Sequence, residues 1–475
     1  MARQLYTDEL ELEIIDAAPS TTYNDKALGP DEIIAIEGAG TFEKISLKEK
    51  INNLLVKNKN LNEFAKSVHW ESTRRGHASL STSAILFSEV RNCSRLLTML
   101  LVSPRFGSYL QESQRRSRIT RDRILIPTEL RNKSLEKLFI KSMDKCYDAY
   151  VWLIDKGIKL EDARYVLPLS SSSSLFTAAS LESFIYLITK VERNIGLVPI
   201  ELRQYTNKLK ESMSNYLPEL LNARLGFSNL NTYYPLADPL RMPDQLIDQI
   251  TDKTPSMGVE LIKIERIGNA EKIISNMDKT RLDAYNDFFR VITCESMSLA
   301  AYHQAIRHRT VPTMVESLPE AVERAKKNLD KSIVIPPAIK GNEEFSSKFS
   351  DTVNELLILY ERLQLEDEGL AALYAVPQTV TVRVVRAYNL FNLMYPTGFV
   401  ATRTCSKAQW EERSIAYKIW RDIEKEMPWL SRLMGEKCRH LGYCPEKDWC
   451  PIILKYMEYS DNIHKKYSRM PSDKA

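Results

Sequence analysis

Several features that often reveal a function directly are scarce in this chain of 475 residues. It contains 15 glycines and no glycine-rich phosphate loop, which excludes the fingerprint of a dinucleotide-binding fold. No apolar run approaches the roughly 20 residues needed to span a bilayer. The opening MARQLYTDELELEIID lacks the basic-then-apolar pattern of a secretion signal. We therefore expect no membrane partner.

An excess of charge of one sign is also missing. Lys and Arg number 66 against 62 Asp and Glu, and a net charge of +4 is too small to favour a polyanion such as nucleic acid as partner. The balance does fit a protein that gathers a few arginines around a small phosphorylated ligand.

Cysteines are few and mostly scattered. Seven is an odd count, typical of reduced thiols, and it favours a cytoplasmic location. The exception is the tail CRHLGYCPEKDWC, where Cys438, Cys444 and Cys450 lie close to His440. A metal site, a disulfide and ordinary buried thiols stay open as alternatives there, and we assign no metal among the functional residues.

Length and composition predict two globular domains, because 475 residues exceed what one compact core usually holds. Strand and helix signals recur without regular βαβ alternation, which favours an α+β class over a doubly wound parallel sheet. Residues 32–40 and 260–268 show the alternation of a strand, whereas residues 388–394 and AQWEERSIAYKIWRDIEKEM (408–427) show helical periodicity.

Three segments recur in the same order, which indicates an internal repeat. EIIAIEGAG resembles ELIKIERIG, SPRFGSYLQES aligns with RHRTVPTMVES, and ARYVLPLSSSSSLFTAAS aligns with ALYAVPQTVTVRVVRAYN. The aligned pairs are Arg105 with Arg309, Glu112 with Glu316, Ser113 with Ser317, Pro168 with Pro377 and Ser180 with Asn389. We predict two divergent units, 1–250 and 251–475, the second with the cysteine-containing tail. The proline-marked stretches YYPLADPLRMPDQ and TDKTPSMG would join them.

The motifs of both units resemble one enzyme family. Arg307-His308-Arg309, then seven residues, then Ser317, is similar to the signature of the flavin-dependent thymidylate synthases (ThyX). The similarity extends to Gln304, Asn389 and the stretch RTCSKAQWEER, which contains Arg403. In the first unit RRGHASL, ESQRR and ARYVLP resemble the family's Gly-His, Ser-x-Arg and Ala-Arg-x-x-Leu-Pro segments.

Each unit departs from the family pattern where the other keeps it. In the first unit the Arg-His-Arg has become Ser103-Pro104-Arg105, and Ser180 stands at the asparagine position. In the second unit Pro319 replaces the arginine of Ser-x-Arg, Leu373 stands at the Ala-Arg position, and no Gly-His segment is visible. Family members are homotetramers with sites built at subunit interfaces. The losses therefore predict one kind of composite site, with the reciprocal kind dead.

The resemblance implies a pseudo-dimer of two ThyX-like units, each a sheet flanked by helices, and a homodimer of tandem chains that mimics the tetramer. It also implies conversion of dUMP to dTMP, with methylenetetrahydrofolate and NADPH as co-substrates and FAD as cofactor. The residues implied for dUMP are Ser113, Arg115, Arg164, Gln304, Arg307 and Arg403. Those implied for FAD are His77, Arg307, His308, Arg309, Ser317 and Asn389.

Arg403 is the residue expected to govern rate. Methylation at uracil C5 makes the ring a carbon nucleophile, so a fixed guanidinium would stabilise the charge that builds on its oxygens and N3. Cations of the Arg-His-Arg cluster would favour the anionic reduced flavin. No cysteine nucleophile is expected, since Cys405 is the only one within these motifs and no base lies near it in the sequence to activate it.

Simpler interpretations remain beside these. The arginine run SQRRSRITRDR is typical of a solvated face and sometimes of a nucleic-acid contact. Arg164 could pair with Glu161 or Asp162, and His77 could be a turn residue. The alternative function is a non-catalytic flavin- or nucleotide-binding or structural paralogue. A third keeps flavin-dependent methylation but changes the pyrimidine to a modified base or a polymer.

Overall fold

The computed structural model describes residues 4–57, 59–104, 106–227, 246–252, 255, 258–274, 279–446 and 450–456. The chain divides into two compact units, called unit 1 (Met1–Leu236 with Ile335–Gln378) and unit 2 (Ala237–Val334 with Thr379–Ala475). The predicted join at residues 233–245 lies outside the described residues. The repeat boundary near residue 250 stays a prediction.

Each unit is built on a four-stranded antiparallel sheet. In unit 1 the strands are β1 (Glu11–Ala18), β4 (Ile85–Ser94), β5 (Gly107–Gln111) and β6 (Ser172–Ser180), with a separate hairpin of β2 (Thr21–Tyr23) and β3 (Lys26–Leu28). In unit 2 they are β7 (Gly258–Arg266), β8 (Phe289–Ser298), β9 (Thr313–Val315) and β10 (Thr381–Tyr388).

The two sheets share one topology, which confirms the tandem repeat and the α+β class. The strand order is β1-β4-β6-β5 in unit 1 and β7-β8-β10-β9 in unit 2. Even an irregularity recurs, because the register of the outer strand shifts between Ile14 and Asp16 in β1 and between Leu261 and Lys263 in β7. Bulges at matching places are features retained from a common ancestor rather than defects.

Helices flank both sheets. Those of unit 1 are α1 (Pro30–Ala39), α2 (Leu47–Val56), α3 (Leu61–Arg74), α4 (Ser79–Ser83), α5 (Arg95–Leu101), α6 (Glu136–Asp155), α7 (Leu160–Ala163), α8 (Leu181–Glu192), α9 (Ile200–Met213), α10 (Pro218–Gly226), α17 (Pro337–Lys340), α18 (Glu343–Leu365) and α19 (Gly369–Ala375).

The helices of unit 2 are α11 (Leu246–Ile250), α12 (Ala270–Ile274), α13 (Lys279–Tyr285), α14 (Leu299–Ala305), α15 (Leu318–Lys327), α16 (Leu329–Ser332), α20 (Leu390–Met394), α21 (Phe399–Arg403), α22 (Trp410–Glu426), α23 (Pro428–Ser431) and α24 (Lys437–Leu441). Over the part of the chain that the structure describes, no helix is long and apolar enough to cross a membrane.

The longest helix of the second repeat, α18, belongs to unit 1. Trp152 on α6 meets Phe345 on α18 edge to face with ring centroids 5.4 Å apart, and Lys145 Nζ lies 2.6 Å from Glu355 Oε1. The aligned prolines Pro168 and Pro377 form an antiparallel bridge. Around it the Leu169 amide donates to Val376 and the Gln378 amide donates to Leu167, each at 2.9 Å. Equivalent segments thus exchange equivalent bonds, as in a two-fold dimer interface.

The strand expected at residues 32–40 is wrong, because α1 covers that segment. Pro30 takes the first helical position, where its missing N–H is no loss, and Glu32 Oε2 accepts the Gly29 amide at 3.0 Å. The helix buries Ile33, Ile34, Ala35 and Ile36. The structural counterpart of β7 is β1, which the sequence alignment missed.

Of the two segments expected to be helical, one is confirmed and the other is helical only in part. The amphipathic helix at 408–427 is confirmed as α22. Residues 388–394 are only partly helical: Tyr388 ends β10, Asn389 caps, and α20 begins at Leu390. A capping asparagine terminates the strand there because its side chain accepts the amide of the first helical turn.

One buried junction occurs in both repeats. Ser94, which ends β4, gives its amide to Glu201 at 2.7 Å and its hydroxyl to the same carboxylate at 2.5 Å. Ser298, which ends β8, does the same with Glu411 at 2.6 and 2.7 Å. Each serine oxygen also caps the following helix, by accepting from Leu97 at 2.9 Å and from Ala301 at 3.0 Å. This device holds the strand-to-helix turn that leads into the arginine-histidine-arginine stretch of unit 2.

Replacing Ser298 with alanine should destabilise unit 2. The change removes the cap and leaves the buried Glu411 carboxylate short of one donor, which costs about 1–3 kcal/mol. The midpoint of urea unfolding checks this. Ser347→Ala, at an exposed hydroxyl on α18, is the control and should change stability by less than about 0.5 kcal/mol. Equal midpoints for the two variants would contradict the role of the junction.

Candidate functional site

The arginine-histidine-arginine stretch lies in a tight turn at the end of α14. The amides of Arg307 and His308 donate back to Gln304 at 3.2 Å and to Ala305 at 3.0 Å. The helix therefore stops at Ala305, and the three side chains leave from a short, fixed segment rather than from a helix face. This position follows from the Ser298 cap, because the cap sets where α14 begins.

His308 is packed among arginines. Its ring meets Phe399 edge to face at 5.1 Å. Burial, together with Arg403, Arg386 and Arg309, lowers the pKa of His308 well below its usual value. His308 is therefore neutral at physiological pH, so the positive charge of the cluster comes from arginines.

Arg386 is a buried arginine that the motif comparison missed. Its guanidinium makes an ion pair with Glu295, and the same carboxylate accepts from Tyr388 at 2.7 Å and Thr293 at 2.8 Å. The guanidinium centre lies 4.7 Å from the Phe399 ring, which also contacts the His308 ring. The available signal was an arginine within the apolar strand TVRVVRAY and a glutamate within ITCESMS, since buried charges come in pairs.

Arg403 and the segment AQWEE form one structural device. Arg403 ends α21, and its Nε lies 2.9 Å from Oε2 of Glu412, whose side chain is fully buried. Gln409 caps α22 by accepting the Glu412 amide at 2.9 Å, which fixes the carboxylate at the helix start. Arg403 keeps 22% of its side chain exposed. A buried carboxylate thus orients a guanidinium that still reaches the surface of the site.

Asn389 is tied to the same turn. Its Oδ1 accepts the backbone amide of Asn392 at 3.1 Å and its Nδ2 at 2.6 Å. Asn392 Oδ1 in turn accepts from the Thr310 hydroxyl at 3.0 Å, next to Arg309. Ser317 serves as N-cap of α15, accepting the Glu320 amide at 3.3 Å. Its predicted flavin contact stays a prediction.

Two buried nitrogens of this cluster fit a bound ligand. Gln304 Nε2 and His308 Nε2 are enclosed, and neither has a hydrogen-bond partner among the residues that the structure describes. Leaving such an atom unsatisfied costs about 1–3 kcal/mol. Both are therefore suited to meet a ligand atom from a ring with polar edges.

The predicted phosphate residues of unit 1 converge on Glu161. Arg115 contacts the Glu161 carboxylate at 2.8 Å, and Arg164 donates from Nε to the Glu161 carbonyl at 3.1 Å. Arg164 is buried, while Arg115 is 27% exposed. Ser113 is exposed and opens the turn that carries Arg115, with its carbonyl accepting from Arg116 and Ser117. Arg115 and Arg164 therefore already contact Glu161, whether or not they also bind a ligand.

Two further arginines of the same run pair with carboxylates, while Arg116 and Arg118 are exposed. Arg121 pairs with Asp144 and Asp148, and Arg123 pairs with Glu112. The charges of Arg121 and Arg123 are thereby met within the chain, and the nucleic-acid contact stays an untested alternative for the run.

His77 lies at a cavity of about 870 Å³ in unit 1. Gly76 has φ 82°, a left-handed value that favours glycine and allows the chain to turn sharply after α3. The cavity combines an apolar floor from Ile33, Ile34 and Leu80 with polar groups that include Arg75 and His77. Its size lies within the range of small-molecule binding sites.

The remaining positions of unit 1 show what it lacks. Arg105 lies outside the described residues. The Ser180 hydroxyl lies 3.3 Å from that of Ser183, at the place of Asn389 in the second repeat. Unit 1 therefore keeps the residues predicted to bind phosphate and the His77 cavity, and unit 2 keeps the arginine-histidine cluster.

A fourth cysteine, Cys405, lies with the three cysteines of the tail. Cys438, Cys444, Cys450 and also Cys405 line a small cavity of about 20 Å³, and all are free thiols. Burial, Glu436 and the neighbouring thiols raise the pKa of Cys438 to about 11. Among the described residues, no three His, Cys, Asp or Glu side chains are arranged to hold a metal ion.

Comparison with known proteins gives these clusters a family. The flavin-dependent thymidylate synthase of Pyrococcus abyssi is 30% identical over 164 residues, covering 33% of this chain and 65% of the relative. That of Nitratidesulfovibrio vulgaris is 29% identical over 161 residues, covering 32% and 62%. The chain thus spans slightly under two thirds of the length of these relatives.

A solved structure is also similar. The UMP/dUMP methylase PolB from Streptomyces cacaoi, bound with 5-Br dUMP, is 15% identical with a TM-score of 0.37, covering 49% of this chain and 100% of that chain. At that level neither the ligand nor the activity carries over.

The thymidylate synthase complementing protein family matches residues 25–219 and 289–429, which include segments of both repeats. Since this match takes in more than half of all residues, the chain belongs to the thymidylate synthase complementing protein family.

Proposed function

We propose that the chain is a flavin-dependent methyltransferase that converts dUMP to dTMP, with FAD as cofactor and methylenetetrahydrofolate and NADPH as co-substrates. The observation that carries this is the unit 2 cluster, in which Glu412 orients Arg403 beside the neutral His308 and its neighbouring arginines. A buried carboxylate that orients a partly exposed guanidinium is the kind of arrangement found where an enzyme has to stabilise developing charge.

The nucleotide would be held at two ends. Arg115 and Arg164, both anchored at Glu161, present guanidiniums for the phosphate beside the exposed Ser113 hydroxyl. Gln304 can both donate and accept, which matches the edge of a uracil ring, and Arg307 extends from the adjacent turn.

Arg403 would stabilise the charge that develops on the uracil. Its guanidinium is fixed by Glu412 and needs no reorganisation when negative charge builds on the ring. Loss of one such group costs about 3 kcal/mol of barrier, or roughly a hundredfold in rate.

The flavin would be held by His77 of unit 1 and by the Arg307–Arg309 turn of unit 2, with Asn389 and Ser317 as further contacts. When bound, reduced flavin supplies the electrons for the methyl group, while the folate supplies the carbon. The arginines of the turn would favour the anionic form of the reduced ring, and His308 Nε2 would meet a polar atom on it.

Complementary losses support a composite site. Unit 1 would contribute His77, Ser113, Arg115 and Arg164, and unit 2 the groups from Gln304 to Arg403. The proposed assembly is a homodimer of tandem chains. Its location would be cytoplasmic, which the seven free thiols fit.

Arg403→Ala should lower turnover about a hundredfold, because the developing charge on the uracil loses its counter-ion. Tritium release from labelled dUMP, in the presence of folate and NADPH, measures this. Arg421→Ala, exposed on α22, is the matched control and should leave turnover unchanged. Comparable activity in Arg403→Ala and Arg421→Ala would remove Arg403 from the mechanism.

Arg115→Ala should abolish dUMP binding at the same sites that Arg403→Ala abolishes, whereas Arg116→Ala, at the exposed neighbour, should not. Isothermal titration measures binding for each variant. Mixing Arg115→Ala chains with Arg403→Ala chains then shows where a site is built, since activity returns only if the two units of one site come from different chains. Full dUMP binding by either single variant would refute the composite site.

The purified protein should be yellow, and His77→Ala should reduce its flavin content. Absorbance in the oxidised flavin bands, before and after addition of FAD, measures this. Lys66, which is exposed on α3 and does not line the cavity, provides a control variant, Lys66→Ala, which should keep the flavin. Colourless wild-type protein that takes up no FAD would favour the non-catalytic paralogue, which the eroded Ser103-Pro104 and Ser180 positions of unit 1 motivate.

A further inference from the structure

The two repeats share one more arrangement of hydrogen bonds, around Glu112 in unit 1 and the aligned Glu316 in unit 2. The Glu112 amide donates to Ser174 at 3.0 Å in unit 1, and the Glu316 amide donates to Arg383 at 2.8 Å in unit 2. Arg383 therefore occupies in unit 2 the position that Ser174 has in unit 1.

The surroundings of that position are also duplicated. Arg123 binds the Glu112 carboxylate and donates to the Ser172 hydroxyl at 3.1 Å. Arg324 binds Glu316 at 2.7 Å and donates to the Thr381 hydroxyl at 3.0 Å. Because each glutamate already has one arginine, Arg383 is a cation added to an otherwise equivalent pocket.

In unit 2 the guanidinium of Arg383 forms ion pairs with three carboxylates. Arg383 Nε lies 2.9 Å from Glu316 Oε1, one terminal nitrogen lies 2.8 Å from Glu320 Oε1, and the other pairs with Asp248. Glu316 is fully buried, whereas Asp248 is 48% exposed. Asp248 belongs to α11 and Glu320 to the first turn of α15, so two separate elements reach into the pocket.

The charge balance of the pocket decides what it can take. The cavity has a volume of about 600 Å³ and is lined by four carboxylates against three cations, the carboxylates being Asp248, Glu316, Glu320 and Glu323 and the cations Arg324, Lys327 and Arg383. A net lining charge of −1 repels an anion despite the guanidinium fork of Arg383. Neutralising Asp248 and Glu320 would leave two carboxylates against three cations, a lining charge of +1.

We propose that unit 2 contains a phosphate-type anion pocket centred on Arg383, which the protein itself fills with the carboxylates of Asp248 and Glu320. Two carboxylates occupy the fork positions at which a phosphate would otherwise pair with the guanidinium. The pocket is thereby silent, and the chain takes one nucleotide phosphate, at the Arg115 corner of unit 1. Only this stoichiometry rests on the proposed function.

The test uses inorganic phosphate and the full-length chain, in an Arg115→Ala background that disables the unit 1 corner. Thermal unfolding is followed with and without phosphate at constant ionic strength, set with chloride. The background variant should show no phosphate-dependent shift. Adding Asp248→Asn and Glu320→Gln should produce a rise of about 3 °C that grows with phosphate concentration. Adding Arg383→Ser to that variant should remove the rise.

Two results would overturn the inference. One is a phosphate-dependent rise of the unfolding temperature in the Arg115→Ala variant that is lost when Arg383→Ser is added. That result would show that the pocket already accepts phosphate. The other is no shift after the carboxylates are neutralised in a protein that still unfolds cooperatively. If the Asp248→Asn/Glu320→Gln pair does not fold, Asp248→Asn alone should give a smaller rise, and its absence would count equally against the idea.

The proposed function fails separately, since it requires wild-type protein to bind dUMP. Titration of wild-type protein should give one dUMP per chain, and two would refute the silent pocket. No dUMP binding would refute the proposed function while leaving the phosphate experiment decisive.

Discussion

A carboxylate enclosed in a protein has to be met by hydrogen-bond donors or by a cation, and this requirement organises three junctions around the arginine-histidine-arginine stretch of unit 2. Glu411 fixes the turn from β8 into α14 through Ser298. Glu295 places Arg386 behind Phe399, and Glu412 aims Arg403. In each case the acid is almost wholly enclosed; Ser298 and Arg386 are buried with it, and Arg403 alone of the three partners stays partly exposed.

The same requirement explains how two related halves came to differ. The Ser94 and Ser298 junctions are the same in both repeats, since a change there would strand a buried charge in the scaffold. Positions that would touch a ligand have diverged instead, as Ser180 against Asn389 and Ser174 against Arg383 show. Duplication relaxes the demand on each copy only where the other copy still meets it.

Much of this organisation could be predicted from the sequence, where residue identity alone carries the information. The repeat, the α+β class and helix α22 were accessible because motif spacing and a long amphipathic pattern survive divergence. The strand expected at residues 32–40 was wrong, because alternating isoleucines fit either structure and Pro30 with Glu32 decided for a helix. Arg386 and the Ser–Glu junctions were missed since their partners are about 90 to 113 residues away along the chain.

The placement of α18 has a consequence for how the chain can be divided. Residues 335–378 belong by descent to the second repeat but are built into unit 1, where α18 lies along α6 and the Pro168 and Pro377 segments exchange backbone bonds. If the gene were split at the repeat boundary, the first fragment would expose the α6 surface that α18 covers. The second fragment would contain α18 without the helix against which it packs. Neither piece should be stable by itself, and each would have to be produced together with the other.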